Sequence, residues 1–290
     1  MIDAEYLAPR DMRELFKAIE GRADRVTFVA GCTNVLPNLR ARAIDPGLMV
    51  NVADMEEMTH IREEDDVVSI GAAATMRALA SSRIICRESP ILASAASQLG
   101  NPLTRNRATI GGNLADASPA ADTAPPLLAL EATIHTLGPG GEQKDIPLDR
   151  FFLGPRQTVL GKGEMITHIT FPKPKDPARG CHLKLGLREA MSISVASVAL
   201  LLNMEGPVCR KARVALGSVA PTPIRARHAE EALEGQEITA TVMERSAAAL
   251  DRDISPISDV RASASYRRAV SSVLLKRALS KALKTGGEEA

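Results

Sequence analysis

Tryptophan is absent, and only two tyrosines and five phenylalanines stand among 290 residues. A flat ligand ring held by this chain must therefore lie mainly between aliphatic side chains and backbone. Cysteine is scarce too: Cys32, Cys86, Cys181 and Cys209 are scattered, and none has a CxxC or comparable ligand spacing. That pattern excludes a zinc or iron–sulfur site on this chain and reads as reduced, idle thiols. No apolar run approaches a membrane span; the most apolar stretch, 198–202, is far too short. The opening residues, MIDAEYLAPR, lack a basic head followed by an apolar segment, so no secretory signal is visible and a cytoplasmic location is expected. Charge of one sign is missing as well. The formal net charge of +1 gives no global field that would attract nucleic acid.

What is present is ordinary for a globular protein, 45% hydrophobic and 24% charged, on a chain long enough for two modest domains. Asp11 followed by Glu14 resembles a capping box, and Leu15, Phe16 and Ile19 then share one helix face. Strands are expected over 26–30, 48–52 and 67–70. Thr75 caps a helix running through Ser81, and Ser89-Pro90 opens another that stops near Gly100-Asn101. This alternation predicts a small α/β unit in the first quarter of the chain. Further strands are expected over 132–137 and 164–171, separated by the turn Gly138-Pro139-Gly140-Gly141. Pro172, Pro174 and Pro177 mark a domain boundary, because each removes a backbone donor. Beyond it, 192–202 alternates as a strand, 213–219 forms another, and Glu205-Gly206-Pro207 turns between them. Helices are expected over 226–233, 239–250 and 263–284, the last with an apolar stripe of Tyr266, Val270, Leu274 and Ala278. The C-terminal part reads as α+β, strands first and helices after.

Two segments carry chemistry. Val29-Ala30-Gly31-Cys32-Thr33-Asn34-Val35 follows a strand, where small residues let backbone N–H groups converge on an anion. The second is Ala108-Thr109-Ile110-Gly111-Gly112-Asn113-Leu114-Ala115-Asp116-Ala117-Ser118-Pro119-Ala120-Ala121-Asp122. Its twin glycines allow positive φ or close backbone approach, Thr109, Asn113 and Ser118 can donate to oxygens, and Asp122 can accept from a ligand hydroxyl or brace the loop. Each has a plain alternative: an ordinary strand-ending turn for the first, a Gly-Gly-Asn hairpin with a Ser-Pro cap for the second. Neither matches GxGxxG or GxxxxGK[ST], which disfavours Rossmann and P-loop readings.

The run TIGGNLADASPAADTAPPLLAL resembles the second FAD-binding motif of the flavoprotein subunits of the molybdenum hydroxylases, the xanthine dehydrogenase and carbon monoxide dehydrogenase family. VAGCTNVLP resembles their first, pyrophosphate-holding loop, usually written with two adjacent glycines. FFLGPRQTVLGKGEMITHITFP and KLGLREAMSISVASVAL are similar to two further stretches, so the likeness runs in order from about residue 5 to 235. The resemblance implies an α+β protein: a two-part FAD-binding domain of the vanillyl-alcohol-oxidase type over 1–175, then a smaller α+β domain over 180–285. It implies that Ala30, Gly31, Cys32, Thr33, Asn34 and Val35 grip the FAD pyrophosphate, with Val29 also among the cofactor-binding residues. Ala108, Thr109, Gly111, Gly112, Asn113, Asp116, Ser118, Ala121 and Asp122 would line the rest of the cofactor. Ile166 would lie near the flavin or adenine, and Lys184 matches a lysine near the cofactor in the xanthine dehydrogenases. Cys32 stands where the family commonly has Gly, Asn or Gln, and cysteine keeps φ negative more stubbornly than glycine.

The family reaction splits across a heterotrimer, with a molybdopterin subunit hydroxylating the substrate and a small subunit relaying electrons through two 2Fe–2S clusters. This chain would pass those electrons to NAD or another acceptor, an oxidoreductase role in which no side chain is catalytic and no metal is held. The missing cluster cysteines agree with that division and argue against the branch with an added cluster-binding insertion. A free-standing FAD-dependent NAD(P)H reductase and a flavin-binding scaffold without turnover are the competing readings.

Overall fold

The computed structural model describes residues 5–44, 47–174 and 178–285. A three-stranded parallel sheet opens the chain, built from β1 (Glu5–Leu7), β2 (Val26–Val29) and β3 (Leu48–Asn51) in the order β1-β3-β2. Its crossovers carry α1 (Met12–Ile19) and α2 (Val35–Arg40). Asp11 caps α1 by accepting from the Glu14 N–H at 2.8 Å, as the sequence predicts. The Glu14 carboxylate reaches back to the Arg10 N–H rather than to that of Asp11, so the box is offset by one residue.

The second sheet is antiparallel and five-stranded, in the order β4 (Ile61–Glu64), β5 (Val67–Gly71), β10 (Met165–Pro172), β6 (Thr133–Leu137), β7 (Gln143–Pro147). The strand expected over 67–70 thus belongs here, not to the first α/β unit. The turn at 138–141 does not separate the two later strands directly. It leads into β7, then the short hairpin β8 (Phe152–Gly154) and β9 (Gln157–Thr158), and only then into β10. Between β5 and β6 run six helices: α3 (Met76–Ser81), α4 (Arg83–Glu88), α5 (Pro90–Gln98), α6 (Pro102–Arg105), α7 (Ile110–Ala115) and α8 (Ala124–Ala129).

Pro172 ends β10 and Pro174 follows it; Pro177 lies outside the described residues, as do residues 1–4 and 175. The C-terminal part is a four-stranded antiparallel sheet of β11 (Ala178–Leu185), β12 (Ala196–Glu205), β13 (Val208–Gly217) and β14 (Ile224–Arg225), followed by α9 (Arg227–Glu231), α10 (Ala240–Ala249) and α11 (Ala264–Thr285). β12 is not half-exposed as alternation would have it. Ala196 to Leu202 are all buried, because α11 covers one face and α8 the other. Val198, Leu200 and Leu202 join the C-terminal core, while Ala199 and Leu201 join the core of the first part. The stripe on α11 is rotated from the expected one. Tyr266 is exposed, whereas Arg267, Ser271, Leu274, Leu275, Ala278, Leu279 and Ala282 face inward.

Candidate functional site

The first segment turns sharply off the end of β2. Cys32 sits at φ +56°, the left-handed conformation that cysteine was expected to resist. Among the described residues, the N–H groups of Cys32, Thr33, Asn34 and Val35 donate to nothing in the protein. Four neighbouring donors left free are a ready anion cradle. Gly31 is there for closeness: a Cβ on it would lie 1.7 Å from the Arg107 carbonyl oxygen. The Asn34 amide donates to the Asp116 carboxylate, which Arg156 also grips, so the two segments are fastened together. Burial pushes the Cys32 thiol up, against the pull of the Arg107 guanidinium, so the thiol stays protonated at neutral pH.

The second segment is a helix, not an open hairpin. Thr109 caps α7 by accepting from the Gly112 N–H at 3.2 Å. The Ile110 and Gly111 N–H groups donate to the Ala74 and Ala72 carbonyls at 3.0 and 2.8 Å, pinning α7 beside β5. Neither glycine takes positive φ; that conformation falls on Ala117, at +47°. Gly111 serves contact, since a Cβ there would lie 2.6 Å from the Ala72 Cβ. Asn113 accepts from the Thr123 hydroxyl at 2.6 Å, which leaves its amide N–H pair for other partners. Ser118 accepts from the Ala120 N–H at 3.2 Å, and Ala108 and Ala121 are buried.

Val29, Ala30, Thr109, Gly111, Gly112 and Ile166 line one cavity of about 280 Å³. Its remaining walls are largely aliphatic, with Val26, Val52, Met58 and Met165 beside the single aromatic Phe28. Sequence reasoning missed the stretch 160–165, which closes another side. The signal was the Gly161-Lys162-Gly163 turn set immediately before a strand. Glu164 ties this turn down, accepting from the Gly161 N–H at 2.9 Å, the Thr136 hydroxyl at 2.5 Å and Lys144 at 2.9 Å. Burial raises the Glu164 carboxyl, but these donors outweigh it and hold it below the usual range.

Asp122 and Lys184 stand apart from that cavity. They form an ion pair at 2.9 Å with side chains 10% and 7% exposed, so both charges are buried. The Ser194 hydroxyl donates to Asp122 at 3.0 Å. Burial pushes the Asp122 carboxyl up, opposed by Lys184 and Ser194. Asp122 therefore braces the start of α8 against β11. Lys184 also borders a second cavity of about 300 Å³ with Gln98, Gly186, Arg188 and Ser192.

A family model described as the FAD binding domain in molybdopterin dehydrogenase matches residues 2–174, and one for the CO dehydrogenase flavoprotein C-terminal domain matches 182–282. The chain belongs to the FAD-binding medium subunits of the molybdenum hydroxylases. It is 31% identical to the carbon monoxide dehydrogenase medium chain of Hydrogenophaga pseudoflava, covering 96% of each chain. Identity is also 31% to a xanthine dehydrogenase FAD-binding subunit of Escherichia coli, over 90% of this chain and 89% of that one. The solved carbon monoxide dehydrogenase from Hydrogenophaga pseudoflava superposes with a TM-score of 0.92 at 32% identity, over 97% of both chains. Quinoline 2-oxidoreductase from Pseudomonas putida gives 0.90 at 25% identity, again over 97% of both. The family's cofactor, FAD, fits the residues present. The four free N–H groups suit a diphosphate, and the aliphatic cavity beside them suits a flat ring in a chain short of aromatics.

Proposed function

We propose that this medium subunit takes electrons from 2Fe–2S clusters on a partner chain and passes them to NAD or another acceptor. The observation that carries this reading is the undonated N–H cradle at 32–35, set against the aliphatic cavity between β2, α7 and β10. Bound FAD supplies the redox chemistry through its isoalloxazine ring. The cradle, flanked by Val29, Ala30 and Gly31, holds the diphosphate, and the nearby Arg107 offsets part of its charge. Thr109, Gly111, Gly112 and Ile166 line the cavity, while Asn113, Asp116 and Ser118 position the turn beside them. Lys184, held by Asp122, presents a fixed cation at the second cavity. The chain's work is thus to bind, orient and exclude water, and no proton transfer is assigned to any side chain.

The test mixes the FAD-loaded chain, free of oxygen, with a pre-reduced iron–sulfur partner, and separately with NADH. The chain is expected to be yellow with one non-covalent FAD, and the reduced partner is expected to bleach its flavin band rapidly. A colourless chain that stays apo in excess FAD would sink the cofactor reading. Bleaching by NADH that the partner does not accelerate would instead mark an autonomous reductase, and bleaching by neither a scaffold.

A further inference from the structure

A cavity of about 680 Å³ lies at the junction of the two parts of the chain, lined by residues from α4, α5 and α8 on one side and β11, β12 and β13 on the other. It opens beside Pro172, at the opposite end of the eight-residue strand β10 from Met165. It is therefore roughly 20 Å from the cavity that Met165 and Ile166 line. Its volume is in the range of small-molecule pockets. Ile91, Ala129, Leu130 and Leu201 give it an apolar floor.

Polar groups converge on one edge of that floor. The nine-residue helix α5 starts there, and its N-terminal end carries positive potential. Ser89 occupies the cap position yet makes no capping bond, and its hydroxyl is buried with no hydrogen-bond partner among the described residues. The Ile91 N–H, at the first turn, is equally unbonded among them. A buried hydroxyl and N–H without acceptors, side by side at a helix start, cost free energy unless an acceptor reaches them. Arg87, Lys173, Lys211 and Arg213 line the same cavity, with Glu88. Glu63 pairs with Arg87 and Lys173, and Glu131 with Lys211 and Arg213. Each of these two carboxylates is shared among several cations, Glu131 with Arg225 as well, so the lining stays basic.

We propose that this cavity binds an amphipathic monoanion: an aliphatic chain on the floor of Ile91, Leu130 and Leu201, with a single carboxylate at Ser89 and the Ile91 N–H. A basic lining beside an apolar floor suits a carboxylate on an aliphatic chain. Because the walls come from both parts of the chain, the ligand bridges them.

Octanoate titrated into the FAD-loaded full chain by calorimetry tests this. Saturable one-to-one binding is expected, with 1-octanol and inorganic phosphate each at least ten-fold weaker. Ser89→Ala and Lys173→Gln are each expected to weaken octanoate at least five-fold with flavin content unchanged, and Ser89→Ala to leave the thermal midpoint unchanged as well. Neither residue lies near the flavin segments, and the Ser89 hydroxyl makes no bond that the fold would lose. Ala178→Phe, which adds a ring to the lining, is expected to abolish binding. Octanol as tight as octanoate would reduce the cavity to a greasy hole, and phosphate as tight would reduce it to a basic rim. Indifference of octanoate to all three variants, or no octanoate binding at all, would overturn the proposal.

Discussion

At the scale of single residues, strain and burial sit in the segments proposed to hold FAD. Cys32 holds a left-handed conformation that costs an L-residue about 1–2 kcal/mol. Glycine would remove that cost but give back roughly 0.5–1 kcal/mol in chain entropy. Cys32→Gly is therefore expected to retain FAD fully with a thermal midpoint equal or slightly higher. Cys32→Val, whose β-branch resists positive φ, is expected to lose flavin on gel filtration; full retention by the valine variant would reject the tight-cradle account. The Asp122–Lys184 pair makes a second prediction. Lys184→Met strands a buried carboxylate, at a cost of about 3 kcal/mol. Burial already favours the protonated acid, which keeps the cost at the low end of what such breaks give. Adding Asp122→Asn to Lys184→Met is expected to recover most of that loss. Urea midpoints of the single and double variants check this, and an equal loss in both would show that the pair is not coupled.

At the scale of elements, α7 shows what a sequence can and cannot say. Of the two roles the twin glycines allow, Gly111 serves close approach and neither takes positive φ, because both sit in a short helix that no periodicity announces. A six-residue helix containing two glycines has poor intrinsic propensity and exists through its tertiary bonds to Ala72 and Ala74. The two glycines then have separable roles. Gly111→Ala drives a methyl into Ala72, an overpacking expected to cost about 1–3 kcal/mol and to lower flavin content and denaturation midpoint together. Gly112 faces the cavity, where only Thr109 Oγ1 lies near. Gly112→Val is expected to lose flavin with a smaller loss of stability; identical profiles for the two variants would refute the division. Elsewhere, strands and caps were legible wherever local chemistry decides them, as at Thr75, Asp11 and the run 26–29. β11 went unread although Cys181, Leu183 and Leu185 alternate with Gly180, His182 and Lys184, because a Gly, a His and a Lys on its second face do not announce burial. That second face meets α5 at Gly180 and Asp122 at Lys184, partners distant in sequence. The same reason misplaced the stripe on α11, where Arg267 turns inward to donate to the Val195 and Ser218 carbonyls.

At the scale of the whole molecule, two histidines tie stability to pH. His168 stacks on His135 with ring centres 4.1 Å apart and lies 6.2 Å from His60, on the sheet face away from the core. Burial, and then the charges of His135 and His60, lower its pKa to about 4. His182, buried in β11 with neither ring nitrogen bonded among the described residues, is lowered to about 4 by burial and then Lys184. In the unfolded chain both titrate near 6.5. As pH falls from 6.5 toward 4, the unfolded state takes up protons that the folded state refuses, so stability drops across that window and levels off, for these groups, below it. His182 alone contributes at most about 3 kcal/mol, because each tenfold loss of proton affinity is worth about 1.4 kcal/mol. His168 contributes less, because water screens its half-exposed ring. Asp259 acts lower in pH: burial raises its carboxyl, but Arg261 and Arg267 hold it far below the usual range, so its stabilisation is lost only as pH falls below about 4. Urea midpoints are therefore expected to fall between pH 7.5 and 4.5, and His182→Leu with His168→Gln is expected to flatten that fall. A flat profile in the parent chain, or an unchanged slope in the double variant, would show that other groups carry the acid sensitivity.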